Sequence, residues 1–161
     1  MGKRILSVLI VCMLVFIWGN SLLSREVSGA ISDSLMDVMN RAAARLGMAE
    51  DTFTYMYDQD GDGVEEPTSH IVRKMAHVTE FLVLGALIFL RLESRGLRRA
   101  LSAFTCGAAA GGLDEILQIF SHRGSLFSDV LYDAAGAAAG VLLSALLCRL
   151  IQNRKKDRKA A

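Results

Sequence analysis

Acidic residues and one histidine interrupt long apolar stretches of the sequence, and their types suit proton-transfer chemistry. A histidine next to a carboxylate can act as general base and then as general acid. An ionisable residue inside an apolar helix is costly, so it marks a functional site by default. The alternative is that the acids simply end membrane spans. The candidate catalytic residues are His77, Glu80, Asp114, Glu115 and Asp129.

Basic residues flank the same stretches and supply positive charge. Arginine and lysine bind phosphate and other anionic groups through charge-assisted hydrogen bonds. A basic rim above carboxylates therefore suits an anionic headgroup, with the apolar surroundings holding a lipid tail. The alternative is a salt-bridged polar core that only locks the helices together. The candidate substrate-binding cations are Arg73, Lys74, His122 and Arg123.

Two apolar runs carry faces of small residues that become acidic toward the turn between them. Small-residue faces allow membrane helices to approach closely. We therefore predict that these two helices pack face to face. On the first run, spacings of four, three and four put Gly107, Gly111, Asp114 and Gln118 on one helix face. The matching face of the second run consists of Asp129, Asp133, Gly136 and Gly140.

Close packing of the two faces gathers aspartates, and like charges cannot all stay ionised without a cation among them. The sequence therefore predicts a divalent metal ion held by Asp114, Asp129 and Asp133, with a protonated network as the alternative. A weaker candidate matches the first half of a calcium loop. Ser69 stands where such a loop places a glutamate, so a solvated acidic turn is the favoured interpretation. The acids of this candidate are Asp58, Asp60 and Asp62.

The 161-residue chain is too apolar for an ordinary soluble domain, with 52% hydrophobic residues, a mean hydropathy of +0.35 and a single proline. A transmembrane helix needs about 20 predominantly apolar residues. Four stretches have this length, although polar residues interrupt the second and third. The first could instead be a cleaved signal peptide, but its apolar run continues through Leu22 and Leu23. The predicted spans are Ile5–Leu23, Ile71–Leu92, Leu97–Phe120 and Leu126–Ile151.

The loop after the first span contains an amphipathic helix. Asp33 and Asp37 lie early in it and arginines lie late, as the helix dipole favours. Gly47 is a natural stop. We predict that this helix lies on the membrane surface or caps the bundle. Its apolar stripe consists of Ile31, Leu35, Val38, Met39, Ala42 and Leu46.

These features predict an all-α fold, namely a polytopic integral membrane four-helix bundle with an amphipathic extracytoplasmic helix. Basic residues precede the first span, separate the second from the third and follow the fourth. The positive-inside rule then places both termini in the cytoplasm in a multi-pass cell-membrane protein. The acids of three spans fall at one depth in the outer half of the membrane, which predicts a polar cavity open to the outside. The predicted units are a first transmembrane helix (1–23), an extracytoplasmic loop with the amphipathic helix and acidic turn (24–69), a three-helix membrane core (70–151) and a basic cytoplasmic tail (152–161).

The core residues also form an ordered pattern that resembles the VanZ-like family of membrane proteins over Ile71–Leu147. The resemblance adds Gln118 to the substrate-binding candidates. It implies a role at the cell envelope, because the family's namesake is associated with resistance to the glycopeptide antibiotic teicoplanin. The sequence departs from the family pattern at Asp133, where Asn is common, and at Ser121-His122, where a Pro-Gly-like turn often precedes the arginine. The motifs are Lys74-x-x-His77-x-x-x-Phe81, Asp114-Glu115-x-x-Gln118-x-Phe120, Arg123, Asp129 and Gly136-x-x-x-Gly140.

Three functions fit these observations. The first is binding, with or without modification, of an anionic lipid or lipid-linked envelope component, with an effect on glycopeptide susceptibility. The second is a non-enzymatic protein that binds envelope components. The third is a small proton-coupled transporter or flippase in which Glu80 and the aspartates relay protons. The sequence has no nucleotide-binding glycine loop, serine elbow or paired-cysteine motif, and no nucleic-acid partner is expected.

Overall fold

The computed structural model describes residues 2–23, 25–49, 56–58, 65–67, 69–120 and 127–160. This part of the chain is predominantly helical, as predicted, with one short pair of antiparallel strands in addition. The elements in chain order are α1 (Lys3–Ser21), α2 (Arg25–Arg45), β1 (Met56–Asp58), β2 (Glu65–Pro67), α3 (Ser69–Arg91), α4 (Gly96–Phe120) and α5 (Phe127–Ala160).

Four of the helices lie over the four stretches predicted to span a membrane. α1, α3 and α4 match the predicted limits to within a few residues, whereas α5 continues through the basic tail to Ala160. Two helical segments, Lys3–Ser21 and Asp129–Lys155, are apolar enough over sufficient length to cross a membrane. The spanning of α3 and α4 remains a prediction, because both carry several ionisable residues.

α3 is the centre of the bundle and contacts α1, α2, α4 and α5. Each of the four long helices contributes to one apolar cluster near the middle of the bundle. A second cluster near the α3–α4 connection joins Phe89, Ala103 and Val141. The shared burial of these side chains drives the four helices to pack together. The first cluster consists of Ile17, Phe81, Leu84, Ala110 and Ala137.

Polar contacts join the start of α1 to the connection between α3 and α4. The Lys3 ammonium pairs with the Glu93 carboxylate. Arg91 Nε donates a hydrogen bond to Ser7 Oγ at 2.8 Å. Cys148 of α5 packs beside the same connection. The first basic segment, the basic connection and the start of the basic tail therefore lie at one end of the bundle.

Glycines on α5 bring its backbone into direct contact with α3. A Cβ added at Gly140 would lie 2.8 Å from the Leu82 carbonyl carbon and 3.0 Å from the Ala86 nitrogen. Gly136 faces the Val78 carbonyl in the same way. The prediction that Gly136 and Gly140 pack against α4 is therefore wrong, since both turn toward α3.

The α4 part of the small-residue prediction is confirmed. A Cβ added at Gly107 would lie 2.8 Å from the Ala137 Cβ, and one at Gly111 would lie 3.0 Å from the Asp133 Cβ. α4 thus packs its small face against α5, but against a different strip of α5 than the spacing alone indicated. One glycine pair serves each interface because α5 lies between α3 and α4.

α2 ends as predicted and leaves its apolar stripe uncovered. Gly47 has a φ of 81°, and Met48 N–H donates to the Ala43 carbonyl at 3.0 Å, which closes a Schellman motif. The side chains of α2 that are buried are Ser32, Met36 and Ala43. The predicted stripe faces outward instead, with exposed Ile31, Leu35, Val38 and Leu46.

The candidate calcium loop falls largely beyond the described residues. Asp58 ends β1 and is paired with Glu65 of β2. Asp60 and Asp62 lie outside the part of the chain that the structure describes.

Candidate functional site

Three ionisable side chains from three helices meet near one end of the bundle. His77 Nδ1 of α3 lies 3.8 Å from Asp114 Oδ2 of α4 and 3.9 Å from Asp133 Oδ1 of α5. One ligand atom from each residue lies within 4.8 Å of the other two. The Asp114 side chain is fully buried and that of Asp133 is 2% exposed, whereas His77 is 17% exposed. We call His77, Asp114 and Asp133 the acid–histidine cluster.

The position of Asp133 depends on a glycine in the neighbouring helix. A Cβ at Gly111 would lie 3.4 Å from Asp133 Oδ2 and 3.6 Å from the Phe81 ring, so only a very small residue leaves this space open. Phe81 is completely buried beneath the cluster. The small-residue face of α4 therefore serves two purposes, since it allows close packing and admits a carboxylate.

Two donors orient Asp114. Ser21 Oγ, at the end of α1, donates to Asp114 Oδ1 at 2.6 Å. Gln118 Nε2 donates to Asp114 Oδ2 at 2.8 Å and to Glu115 Oε1 at 3.4 Å. Hydrogen bonds to a charged carboxylate are among the stronger ones in proteins. They fix the plane of the Asp114 carboxylate inside the bundle.

Asp133 has a different environment. Its Oδ2 atom is buried and has no hydrogen-bond partner among the described residues. Four other acids act electrostatically on it, which adds like-charge repulsion to the cost of burial. An ionised carboxylate in such a place calls for a compensating positive group. The four acids are Asp114, Glu115, Asp129 and Glu80.

A cleft opens from this cluster toward the surface. About 40 Å³ of its space is accessible to water-sized molecules. Lys74 Nζ lies 5.6 Å from the centre of the Tyr132 ring, within the range of a cation–π interaction. The residues that line the cleft are Arg73, Lys74, His77, Glu115, Gln118, Asp129, Tyr132 and Asp133.

The structure gathers most, though not all, of the residues predicted from the sequence. Glu80 lies about one turn along α3 from His77 and does not line the cleft. Asp129 lines it but stays outside the acid–histidine cluster, in which His77 takes the place predicted for Asp129. His122 and Arg123 fall outside the described residues.

Two participants were not predicted. Ser21 is the sole contribution of α1 to the site in the described part of the chain, and its one signal is a polar residue at the outer end of an apolar run. Tyr132 precedes Asp133 and reaches the cleft with Asp129, three residues earlier on α5. Neither residue belongs to a motif with a known spacing.

The distances limit the chemistry of His77. Separations of 3.8 and 3.9 Å are longer than a hydrogen bond. His77 is therefore not held by a direct bond to either aspartate, as a base in a catalytic dyad would be. The spacing instead suits three ligand atoms around a shared centre.

Buried acids, a basic cleft and close-packed helices of membrane-spanning length define a small helical membrane protein with a polar site. The chain belongs to the VanZ/LLP1 family, whose profile matches residues 5–149. This match confirms the predicted resemblance and extends it to α1, which carries Ser21. No curated protein and no solved structure matches the chain.

Proposed function

We propose that the protein is a multi-pass membrane protein whose cleft binds an anionic lipid or lipid-linked envelope component. The observation that carries this proposal is the basic rim of the cleft. Arg73 and Lys74 line its wall directly above buried carboxylates. An anionic group drawn to these cations is kept at the rim, because the acids below repel it.

The proposed membrane arrangement has α1, α3, α4 and α5 crossing the bilayer. Large apolar side chains cover the outside of these helices, and a soluble protein rarely exposes so much apolar surface. Asp114 lies about 27 Å along α4 from Gly96 at 1.5 Å per residue. The hydrocarbon core is about 30 Å thick, so the cluster lies near the end opposite Gly96. Examples of the exposed residues are Val8, Val15, Leu113, Ile119, Leu142 and Leu146.

Orientation follows from charge. Lys3, Glu93 and the start of the basic tail share one end of the bundle, and that end is rich in arginine and lysine. The positive-inside rule places it in the cytoplasm, with both termini. The cleft then opens in the outer half of the membrane, where envelope lipids and lipid-linked precursors are available.

The size of the cleft sets what can enter it. About 40 Å³ holds a few waters or one small polar group. A phosphate group fits this space, whereas the acyl chains of a lipid must lie along the exposed apolar surface outside it. Met75 and Leu131 are exposed on α3 and α5, the two helices that supply the basic rim and Tyr132. The family's association with teicoplanin resistance supports a substrate of the envelope.

Binding and catalysis make different predictions for His77. If the bound lipid is modified with His77 as the base, His77→Ala abolishes turnover while lipid binding persists. If the protein only binds, His77→Ala leaves its envelope phenotype intact, whereas Lys74→Ala removes it. A proton-coupled transporter would instead require the membrane proton gradient.

Native mass spectrometry tests the binding proposal. Purified protein is titrated with phosphatidylglycerol or with zwitterionic phosphatidylcholine, and the occupancy of the first bound lipid is measured. Lys74→Ala should weaken phosphatidylglycerol binding about tenfold, because losing one charge-assisted contact costs about 1.5 kcal/mol. Lys155→Ala is the matched control, since Lys155 is exposed near the far end of α5. Equal binding of both lipids, or equal effects of both variants, would contradict the proposal.

A further inference from the structure

We propose that His77, Asp114 and Asp133 form a binding site for a divalent transition-metal ion such as Mn²⁺ or Zn²⁺. The three side chains come from α3, α4 and α5, so the ion would tie together the helices that form the cleft. The site does not depend on lipid binding. It can be tested with metal alone.

The geometry favours ligands over direct pairing. The two His77–carboxylate separations are 3.8 and 3.9 Å, too long for hydrogen bonds. Ligand atoms at about 2.1 Å from a tetrahedral metal lie roughly 3.4 Å apart. Small rotations of three side chains would therefore bring the ligand atoms to bonding distance, and no backbone movement is required.

A buried oxygen supplies independent support. Asp133 Oδ2 has no hydrogen-bond partner among the described residues, although the side chain is only 2% exposed. Leaving a charged oxygen in that state is costly. A cation bound at the cluster would compensate the Asp133 carboxylate, and Gly111 keeps the adjoining space open.

Residues around the cluster provide the outer support that metal ligands usually have. Ser21 and Gln118 donate to the two oxygens of Asp114 and hold it in place. Such outer contacts orient a ligand and raise metal affinity. Four further carboxylates act on Asp133, so a doubly charged ion relieves repulsion that Arg73 and Lys74 relieve only from the rim.

The ligand types indicate the kind of metal. Calcium and magnesium prefer oxygen ligands throughout, whereas an imidazole nitrogen with two carboxylates suits zinc, manganese or iron. Three protein ligands leave at least one coordination position for water or an anionic oxygen. That position would face the cleft, because His77 and Asp133 both line it.

The test is a titration of chelator-treated protein with Mn²⁺, followed by electron paramagnetic resonance of the free ion. The wild type should bind one ion with saturation. His77→Gln and Asp133→Asn should each lower the affinity at least 100-fold, because loss of a direct ligand should cost no less than loss of an outer contact. Circular dichroism confirms that both nearly isosteric variants are folded.

Two control variants make the result specific. Asp129→Asn removes an equal charge from the cleft but leaves all three ligands, so its affinity should fall less than tenfold. Asp60→Asn, in the candidate calcium loop, should bind as the wild type does. The proposal is overturned if wild-type protein shows no saturable Mn²⁺ or Zn²⁺ binding, which would mean that a proton compensates Asp133. Binding that survives Asp133→Asn or is lost in Asp60→Asn would also overturn it.

Discussion

The contact between α3 and α5 can be tested by adding a single methyl group at Gly140. In Gly140→Ala the new Cβ would lie 2.8 Å from the Leu82 carbonyl carbon and 3.0 Å from the Ala86 nitrogen. These atoms belong to the backbone and cannot move aside as a side chain would. Because ordinary contacts begin at about 3.5 Å, the two helices must separate by up to roughly 1 Å. Forcing extra volume into a packed interface costs about 1–3 kcal/mol.

The helix preference of alanine must be removed from this comparison. Replacing glycine by alanine inside a helix gains about 1 kcal/mol wherever there is room. Gly19 of α1 provides the control, because a Cβ there would meet nothing within 4 Å. The difference in unfolding free energy between Gly140→Ala and Gly19→Ala therefore isolates the packing cost. Thermal unfolding in mild detergent should place Gly140→Ala below Gly19→Ala by roughly 2–4 °C per kcal/mol. If Gly140→Ala is as stable as Gly19→Ala, the close approach of α3 and α5 is refuted.

Three further predictions concern the site and the membrane arrangement. Ser21→Ala should destabilise the protein by about 1.5–3 kcal/mol, because buried Asp114 loses a donor to a charged oxygen, and denaturation of wild type and variant measures this. In protein whose native cysteines are replaced by alanine, Leu46→Cys should react with impermeant maleimide from outside and Arg154→Cys only after permeabilisation; reaction of both from one side would contradict the topology. The Lys3 ammonium lowers the pKa of Glu93 below its ordinary 4.5, so this exposed pair stabilises at neutral pH and its contribution disappears as the pH falls through that lowered pKa; Glu93→Gln should remove only this acid-range dependence, measured as melting temperature against pH.

The limits of the four long helices could be predicted because apolar run length determines them. The end of α2 could also be predicted, since Gly47 supplies the left-handed conformation that a Schellman motif requires. Helix directions read from charge placed His77, Asp114 and Asp133 at a common depth, and the structure brings their side chains together. These features depend on local chemistry or on one global rule.

The partner of each helix face could not be predicted. The small-residue faces of α4 and α5 have the same spacing, and nothing in that spacing shows that Gly136 and Gly140 would meet α3. The rotation of α5 that results turns Asp133 rather than Asp129 toward His77. Ser21 joins the site through tertiary packing alone, since a serine at the end of an apolar helix has many equivalent explanations.

The central claim is that the cleft between α3 and α5 binds an anionic headgroup in the membrane. The most direct measurement is photocrosslinking in living cells, followed by mass spectrometry of the lipid attached to the protein. A photoreactive phenylalanine analogue replaces Tyr132 in the cleft or Leu142 on the exposed surface of α5, lower along the same helix. We predict that the Tyr132 position captures phosphate-bearing anionic lipids or lipid-linked precursors well above their share of the membrane, and that Leu142 captures lipids in proportion to their abundance. The same lipid composition at both positions would contradict the account.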